Sequence, residues 1–320
     1  MKSKTDTEIK DFVSEIARMK KEKNAIILAH YYQTGDIQDI ADFVGDSLAL
    51  SQKAESNEAD IILFAGVKFM AETAKILSPG KKVLIPDINA GCSLADSCKA
   101  VDFEKFIKEN PGRTVITYVN TTAEIKALSD ISCTSSNAVE IVNSLPPDEK
   151  IIFAPDRNLG NHIINKTGRD IVVWNGTCHV HEEFSLEAII KMKEENKDAK
   201  VIVHPECELP VRMIADFIGS TAALLHFTEK DPSKIYIVAT EPGIIHQMRK
   251  MNPQKTYLPV PPKDSTCGCS ECNFMKLITM EKIYKCLKTE KPEIHVNSKI
   301  IADAQKPIKR MLEITRKLGL

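Results

Sequence analysis

The sequence predicts an α/β protein: three pseudo-symmetric, three-layer αβα domains with short parallel sheets around a central cavity, followed by C-terminal helices. Three observations predict it. Short apolar runs rich in β-branched residues alternate with helix-length stretches, the pattern of parallel sheet covered on both faces. The polar residues that close the first strand of each segment, His30, Tyr118 and His204, are spaced by 88 and 86 residues. The hydroxyl residues Ser47, Ser135 and Thr221 keep the same spacings, and Ala65, Ala154 and Ala239 keep 89 and 85. A period of roughly 87 residues shared by independent features indicates one supersecondary unit used three times.

Residues 1–22 are expected to hold a helix outside the repeat, patterned from residue 6. The first unit, 23–105, reads as strands AIILAH, DIILFAG and KVLIPD, with the helix VKFMAETAKILS stopped at Pro79-Gly80. The second, 106–190, supplies RTVITYVN, KIIFAPD and DIVVWNG, and the third, 191–272, supplies KVIVHPE, KIYIVAT and KTYLPV. Helices near 102–109 and 185–195 link the units. Helices over 273–288 and 299–318 make a tail, 273–320, expected to pack on the first unit. Ligands of open parallel sheets sit beyond the carboxyl ends of strands, where the tips HYYQ, YVN and HPE lie. An axis that gathers those ends would face tips, hydroxyl turns and closing cysteines into one cavity.

Composition narrows the function. At 320 residues with 43% hydrophobic content the chain can bury a large core, and 43 Lys plus Arg against 44 Asp plus Glu leave no field that gathers nucleic acid. No apolar run approaches the roughly 20 residues of a membrane span, and the charged start MKSKTDTEIKDF reads as an amphipathic helix rather than a signal peptide. The expected location is cytoplasmic, with neither nucleic acid nor membrane as partner. Nine cysteines in such a chain favour metal or catalytic roles over a disulfide framework. Neither GxGxxG nor GxxxxGK[ST] occurs, against an ordinary dinucleotide or nucleoside triphosphate site.

Cys92 in NAGCSLADSC and Cys178 in WNGTCHVH follow equivalent strands, 86 residues apart, and Cys267, Cys269 and Cys272 close the third unit. One thiolate per unit would make a three-cysteine site, and soft ligands select zinc or iron–sulfur centres. Small residues beside Cys92 and Cys178 would let the backbone approach a bulky cofactor. A closed zinc site wants four ligands, and no partner pair lies near the C-x-C-x-x-C run. Repeat spacing favours Cys267 as third ligand, whereas Cys272 is expected to open the following helix. Free cysteines are commonly small buried hydrophobes, the reading given to Cys98, Cys133, Cys207 and Cys286.

His30 with Tyr32, Tyr118 with Asn120, and His204 with Glu206 are i, i+2 pairs that extended chain points to one side. Imidazole, phenol and carboxylate together move protons at neutral pH. Ser47, Ser135 and Thr221 each precede a helical pattern, where N-caps belong; such turns also cradle anions. His179 is a cavity candidate, while His162, His226, His246 and His295 are not.

In these stretches the chain resembles the quinolinate synthase family. The resemblance runs from about residue 20 to the end through AHYYQ, GDSLALS, GCSLADSC, YVNTTAEIKALSD, CTSSNA, APDRNLG, WNGTCHVH, HPEC, GSTAAL and CNFMKLITMEKIY. It implies a 4Fe-4S cluster held by Cys92, Cys178 and Cys272, and condensation of iminoaspartate with dihydroxyacetone phosphate to quinolinate, in NAD biosynthesis. It also implies catalytic and substrate-orienting roles for His30, Tyr32, His204 and Glu206. Tyr118 and Asn120 would hold the dicarboxylate, with Ser47, Ser135 and Thr221 on phosphate or carboxylate oxygens. An L-aspartate oxidase or aspartate dehydrogenase supplying iminoaspartate is the implied functional partner. The chain departs from the family in C-x-C-x-x-C where C-x-x-C-x-x-C is common, and in Asn273 where proline is frequent. The alternatives are another iron–sulfur hydro-lyase acting on a small hydroxy acid, an iron–sulfur sensor, and a structural zinc protein.

Overall fold

The computed structural model describes residues 4–264 and 270–320, the side chains of residues 4–11 excepted, so Cys267 and Cys269 lie outside the described residues. Three four-stranded sheets follow one another along the chain. The first comprises β1 (Ala25–His30), β2 (Phe43–Gly45), β3 (Ile61–Ala65) and β4 (Lys82–Leu84). The second comprises β5 (Thr114–Tyr118), β6 (Ile131–Cys133), β7 (Ile151–Ala154) and β8 (Ile171–Val173). The third comprises β9 (Lys200–Val203), β10 (Phe217–Ile218), β11 (Ile235–Ala239) and β12 (Thr256–Pro259). Each is wholly parallel, and each orders its strands second, first, third, fourth. In that order the chain leaves the first strand for both sides, which opens a crevice at its carboxyl end.

The sequence reading has three strands per unit; the structure has four. β2, β6 and β10 are two or three residues long, too short for any periodicity to register. An aspartate just before each edge strand fixes it. Asp42, Asp130 and Asp216 receive the backbone N–H of Ile27, Val115 and Val201 at 2.7, 2.8 and 2.8 Å. The central strands explain the continuous apolar runs, since Ile27, Leu28, Ile62, Leu63, Ile152 and Ile237 have no exposed surface.

In the tail, the helix Met280–Thr289 packs on the helix Lys4–Glu22 and on β3, with the rings of Phe12 and Tyr284 5.2 Å apart. The last helix, Ser298–Leu318, crosses the helix Lys68–Leu77 of the first unit and also lies on the helix Ala123–Ala127 and β6 of the second. Cys272 does not open an α-helix as expected. It precedes a single 3-10 turn, Met275–Leu277, and the next α-helix starts only at Met280, capped by Thr279. Among the described residues no helix is long and apolar enough to cross a membrane.

Candidate active site

The carboxyl ends of the three sheets surround a cavity with about 660 Å³ of space free of protein atoms, the open solvent at its mouth included. Cys92, Cys178 and Cys272 all line it. So do the tip residues His30, Tyr32, Tyr118, Asn120, His204 and Glu206, the hydroxyls Ser47, Ser135 and Thr221, and His179. The structure therefore brings these residues together at one cavity, while Cys267 and Cys269 lie outside the described residues.

The units interlock at the cavity wall. Tyr32 of the first reaches the third, with its hydroxyl 3.0 Å from Thr221 Oγ1 and 2.8 Å from Thr240 Oγ1. His204 of the third reaches the second through Nε2, 3.3 Å from Ser135 Oγ. Ser136 of the second donates to Asp46 of the first at 2.6 Å. Tyr118 donates to Glu206 Oε1 at 2.6 Å, joining the second and third units at their tips. Each contact spans a unit boundary, so the cavity exists only in the assembled trefoil.

The hydroxyls are not N-caps. Asp46 and Ser220 cap the helices that begin at Ser47 and Thr221, accepting the N–H of Ala49 and Ala223. Asn137, two residues after Ser135, stands at the cap position of the helix Ala138–Asn143. Because other residues occupy the cap positions, Ser47, Ser135 and Thr221 face the cavity instead. The glycine of WNG also works differently from the expectation: a Cβ on Gly176 would meet Ser97 Oγ at 2.3 Å and the Pro155 carbonyl at 2.6 Å, so it serves close chain packing.

Four residues absent from the sequence reading complete the site. His181 sits with Nδ1 3.3 Å from Cys178 Sγ and 3.2 Å from Glu206 Oε2, Nε2 3.0 Å from Thr240, and its ring stacked 4.5 Å from that of His204. Its signal was present in WNGTCHVH, three residues after the cysteine on one helical turn. Ser93, which follows Cys92 as His179 follows Cys178, is 2.7 Å from His179 Nδ1. Glu241, at the end of the third strand of its unit, receives Lys276 Nζ at 2.8 Å, Gly243 N at 2.7 Å and Cys272 N at 3.4 Å. Lys276 also donates to the Tyr32 carbonyl at 2.8 Å, which ties the Cys272 turn to the first and third units.

Burial decides the charge states. It pushes His30 and His204 down to about 3, so both imidazoles are neutral at pH 7. For Glu206 burial raises the pKa, but His181 and the Tyr118 hydroxyl outweigh it and hold the carboxyl down at about 2, ionised. Burial and the Glu206 charge push the Tyr32 and Tyr118 hydroxyls well up, which keeps them protonated donors.

The thiols fit a metal cofactor. Burial pushes Cys92 up to about 12, with Cys272 adding to it, and raises Cys178 and Cys272 as well. Thiolates there need a cation, and among the described residues no Lys or Arg lines the cavity. Three sulfur donors suit an iron–sulfur cluster. Cys178, His181 and Glu206 also offer ligand atoms within 4.8 Å of one another, a mixed set that a single zinc would accept.

A family model described as quinolinate synthetase A protein matches residues 14–313. The quinolinate synthase of Thermosynechococcus vestitus is 56% identical over 305 residues, 95% of this chain and 96% of that protein. That of Synechocystis sp. is 56% identical over 306 residues, 96% of both chains, and that of Synechococcus sp. is 55% identical over 305 residues, 95% of both. Since the matched region runs through all three sheets and most of the last helix, this chain belongs to the quinolinate synthetase A family.

Proposed function

We propose that this chain is a quinolinate synthase, condensing iminoaspartate with dihydroxyacetone phosphate to give quinolinate, phosphate and two waters. The observation that supports it most is the meeting of three cysteines and three protonatable tips at one cavity. Cys92, Cys178 and Cys272 would hold a 4Fe-4S cluster, which when bound supplies a Lewis-acidic iron with an open position. The rest falls to the side chains. Tyr118, Asn120, Ser47, Ser135 and Thr221 bind and orient carboxylate and phosphate oxygens through neutral dipoles, since among the described residues no cationic side chain lines the wall. Tyr32 carries a proton on its hydroxyl for the enolisation and dehydration steps, and Glu206, ionised, accepts one. His30 and His204, neutral, orient substrate and pass protons without storing them.

The test is iron and sulfide quantification on anaerobically purified protein, with an assay of quinolinate formation, for Ser substitutions at Cys92, Cys178, Cys272, Cys267 and Cys269. Loss of iron at the first three and retention at the last two is expected. Retention at Cys272 with loss at Cys267 would overturn the ligand assignment, and about one zinc per chain without iron would overturn the cluster.

A further inference from the structure

Residues Gln38, Lys126 and Arg212 repeat with the spacing of the tips, 88 and 86 residues apart, and no role above uses them. Each is buried, at 2%, 0% and 5% exposure. Each donates to the main chain of its own tip, Gln38 and Lys126 to two carbonyls and Arg212 to one. Lys126 Nζ reaches the carbonyls of Val119 at 2.8 Å and Thr121 at 2.5 Å, the two neighbours of Asn120. Gln38 Nε2 reaches those of Tyr31 at 2.9 Å and Gln33 at 2.8 Å, the two neighbours of Tyr32. Arg212 Nε donates to Cys207 at 2.9 Å, the residue after Glu206. Tyr32, Asn120 and Glu206 are themselves equivalent, and each stands six residues before its donor.

We infer that Gln38, Lys126 and Arg212 are three equivalent positioning residues, Gln38 and Lys126 each turning the two peptide planes that flank a tip side chain and Arg212 the one that follows Glu206, so that the side chain is held toward substrate. The inference rests on the reading of Tyr32, Asn120 and Glu206 as groups that touch substrate. Lys126 carries the argument furthest. A lysine is almost never fully buried unless paired, and among the described residues Lys126 has no ion pair within 4.0 Å; the charges of Glu72 and Glu124 reach it from further off, and its Nζ sits 5.5 Å from the centre of the Phe69 ring. Its two carbonyl bonds are the strong contacts that offset that burial. Asn120 Oδ1, buried without a partner, is an acceptor left for a ligand's donor, while the Nδ2 of the same amide is the atom that can donate to an anion. Where the wall binds anions by neutral dipoles alone, their orientation decides affinity, and turning the peptides beside Asn120 would misdirect its amide.

The experiment uses cluster-loaded protein and Met substitutions at the three positions, with quinolinate titration and steady-state kinetics. Lys126→Met is expected to weaken quinolinate binding about tenfold with little change in kcat, because Asn120 binds. Gln38→Met and Arg212→Met are expected to lower kcat about tenfold with little change in KM, because Tyr32 and Glu206 move protons. Losses of the same parameter in all three would mean a merely structural role and overturn the inference. Lys126→Met with Asn120→Ala should bind no worse than Asn120→Ala alone; additive losses would also overturn it. If Lys126→Met does not fold, Lys126→Gln, which borrows the first unit's donor, should restore binding, and failure to do so counts against anchoring. Asn120→Ala with unchanged affinity would instead remove the substrate role of Asn120 and, with it, the Lys126 anchor.

Discussion

Tyr32→Phe removes one oxygen and separates a catalytic from a structural phenol. The hydroxyl bonds Thr221 and Thr240 at 3.0 and 2.8 Å. After its loss Thr240 keeps His181 Nε2 at 3.0 Å, and only Thr221 loses its partner. The expected stability cost is therefore near the low end for a broken neutral bond, about 1 kcal/mol, or about 2 °C in melting temperature for a chain of this size. A general acid–base group contributes about 10²–10⁴ in rate, or about 3–5 kcal/mol of barrier. The two outcomes differ in kind: a rate loss of at least a hundredfold with an almost unchanged fold. Single-turnover quinolinate formation with anaerobic, iron-matched protein reads the rate. A Phe variant within about tenfold of wild type at equal iron content would refute the proton-transfer role.

Two further predictions concern ion pairs, one at the cavity wall and one remote from it. Lys276→Met leaves Glu241, which has no exposed side-chain surface, without its cation. Removing one partner of a buried pair costs about 3–5 kcal/mol, and the bonds from Gly243 and Cys272 place this case near the lower figure. A loss under about 1 kcal/mol in denaturant titration would show that the pair does not hold the Cys272 turn. Glu290 bridges Lys23 and Lys82 across the junction of first unit and tail, and hydrogen bonds from both lower its pKa from 4.5 to about 2. A depressed carboxyl stabilises the fold above its unfolded value and loses that contribution as pH falls through the folded one. The wild-type melting temperature should thus fall more steeply than that of Glu290→Gln as pH drops from 4.5 toward about 2, and parallel curves would sink the assignment.

Much of the architecture is legible without coordinates because it repeats. A strand that ends in His30, Tyr118 or His204 must expose that residue where parallel sheets bind ligands, so the tips were readable from spacing and strand pattern alone. Asp42, Asp130 and Asp216 carry the same period, yet their meaning needs the bond to the neighbouring strand. The edge strands they fix are shorter than the two-residue alternation can reveal. Ser47, Ser135 and Thr221 show the limit from the other side. A hydroxyl ahead of a helix reads equally as cap or as ligand group, and only the positions of Asp46, Ser220 and Asn137 decide which.

The linear chain by itself determined a threefold repeat of parallel α/β units and the residue types at each tip, because period and strand pattern are local properties. Tertiary structure alone decided that His181 stacks on His204 beside Glu206, that Glu241 and Lys276 join Cys272 to the units, and that Glu206 is ionised while both tip histidines are neutral. Those facts depend on distances between side chains far apart in sequence and on burial that no one unit creates, so they arise only when the three corners close on one cavity.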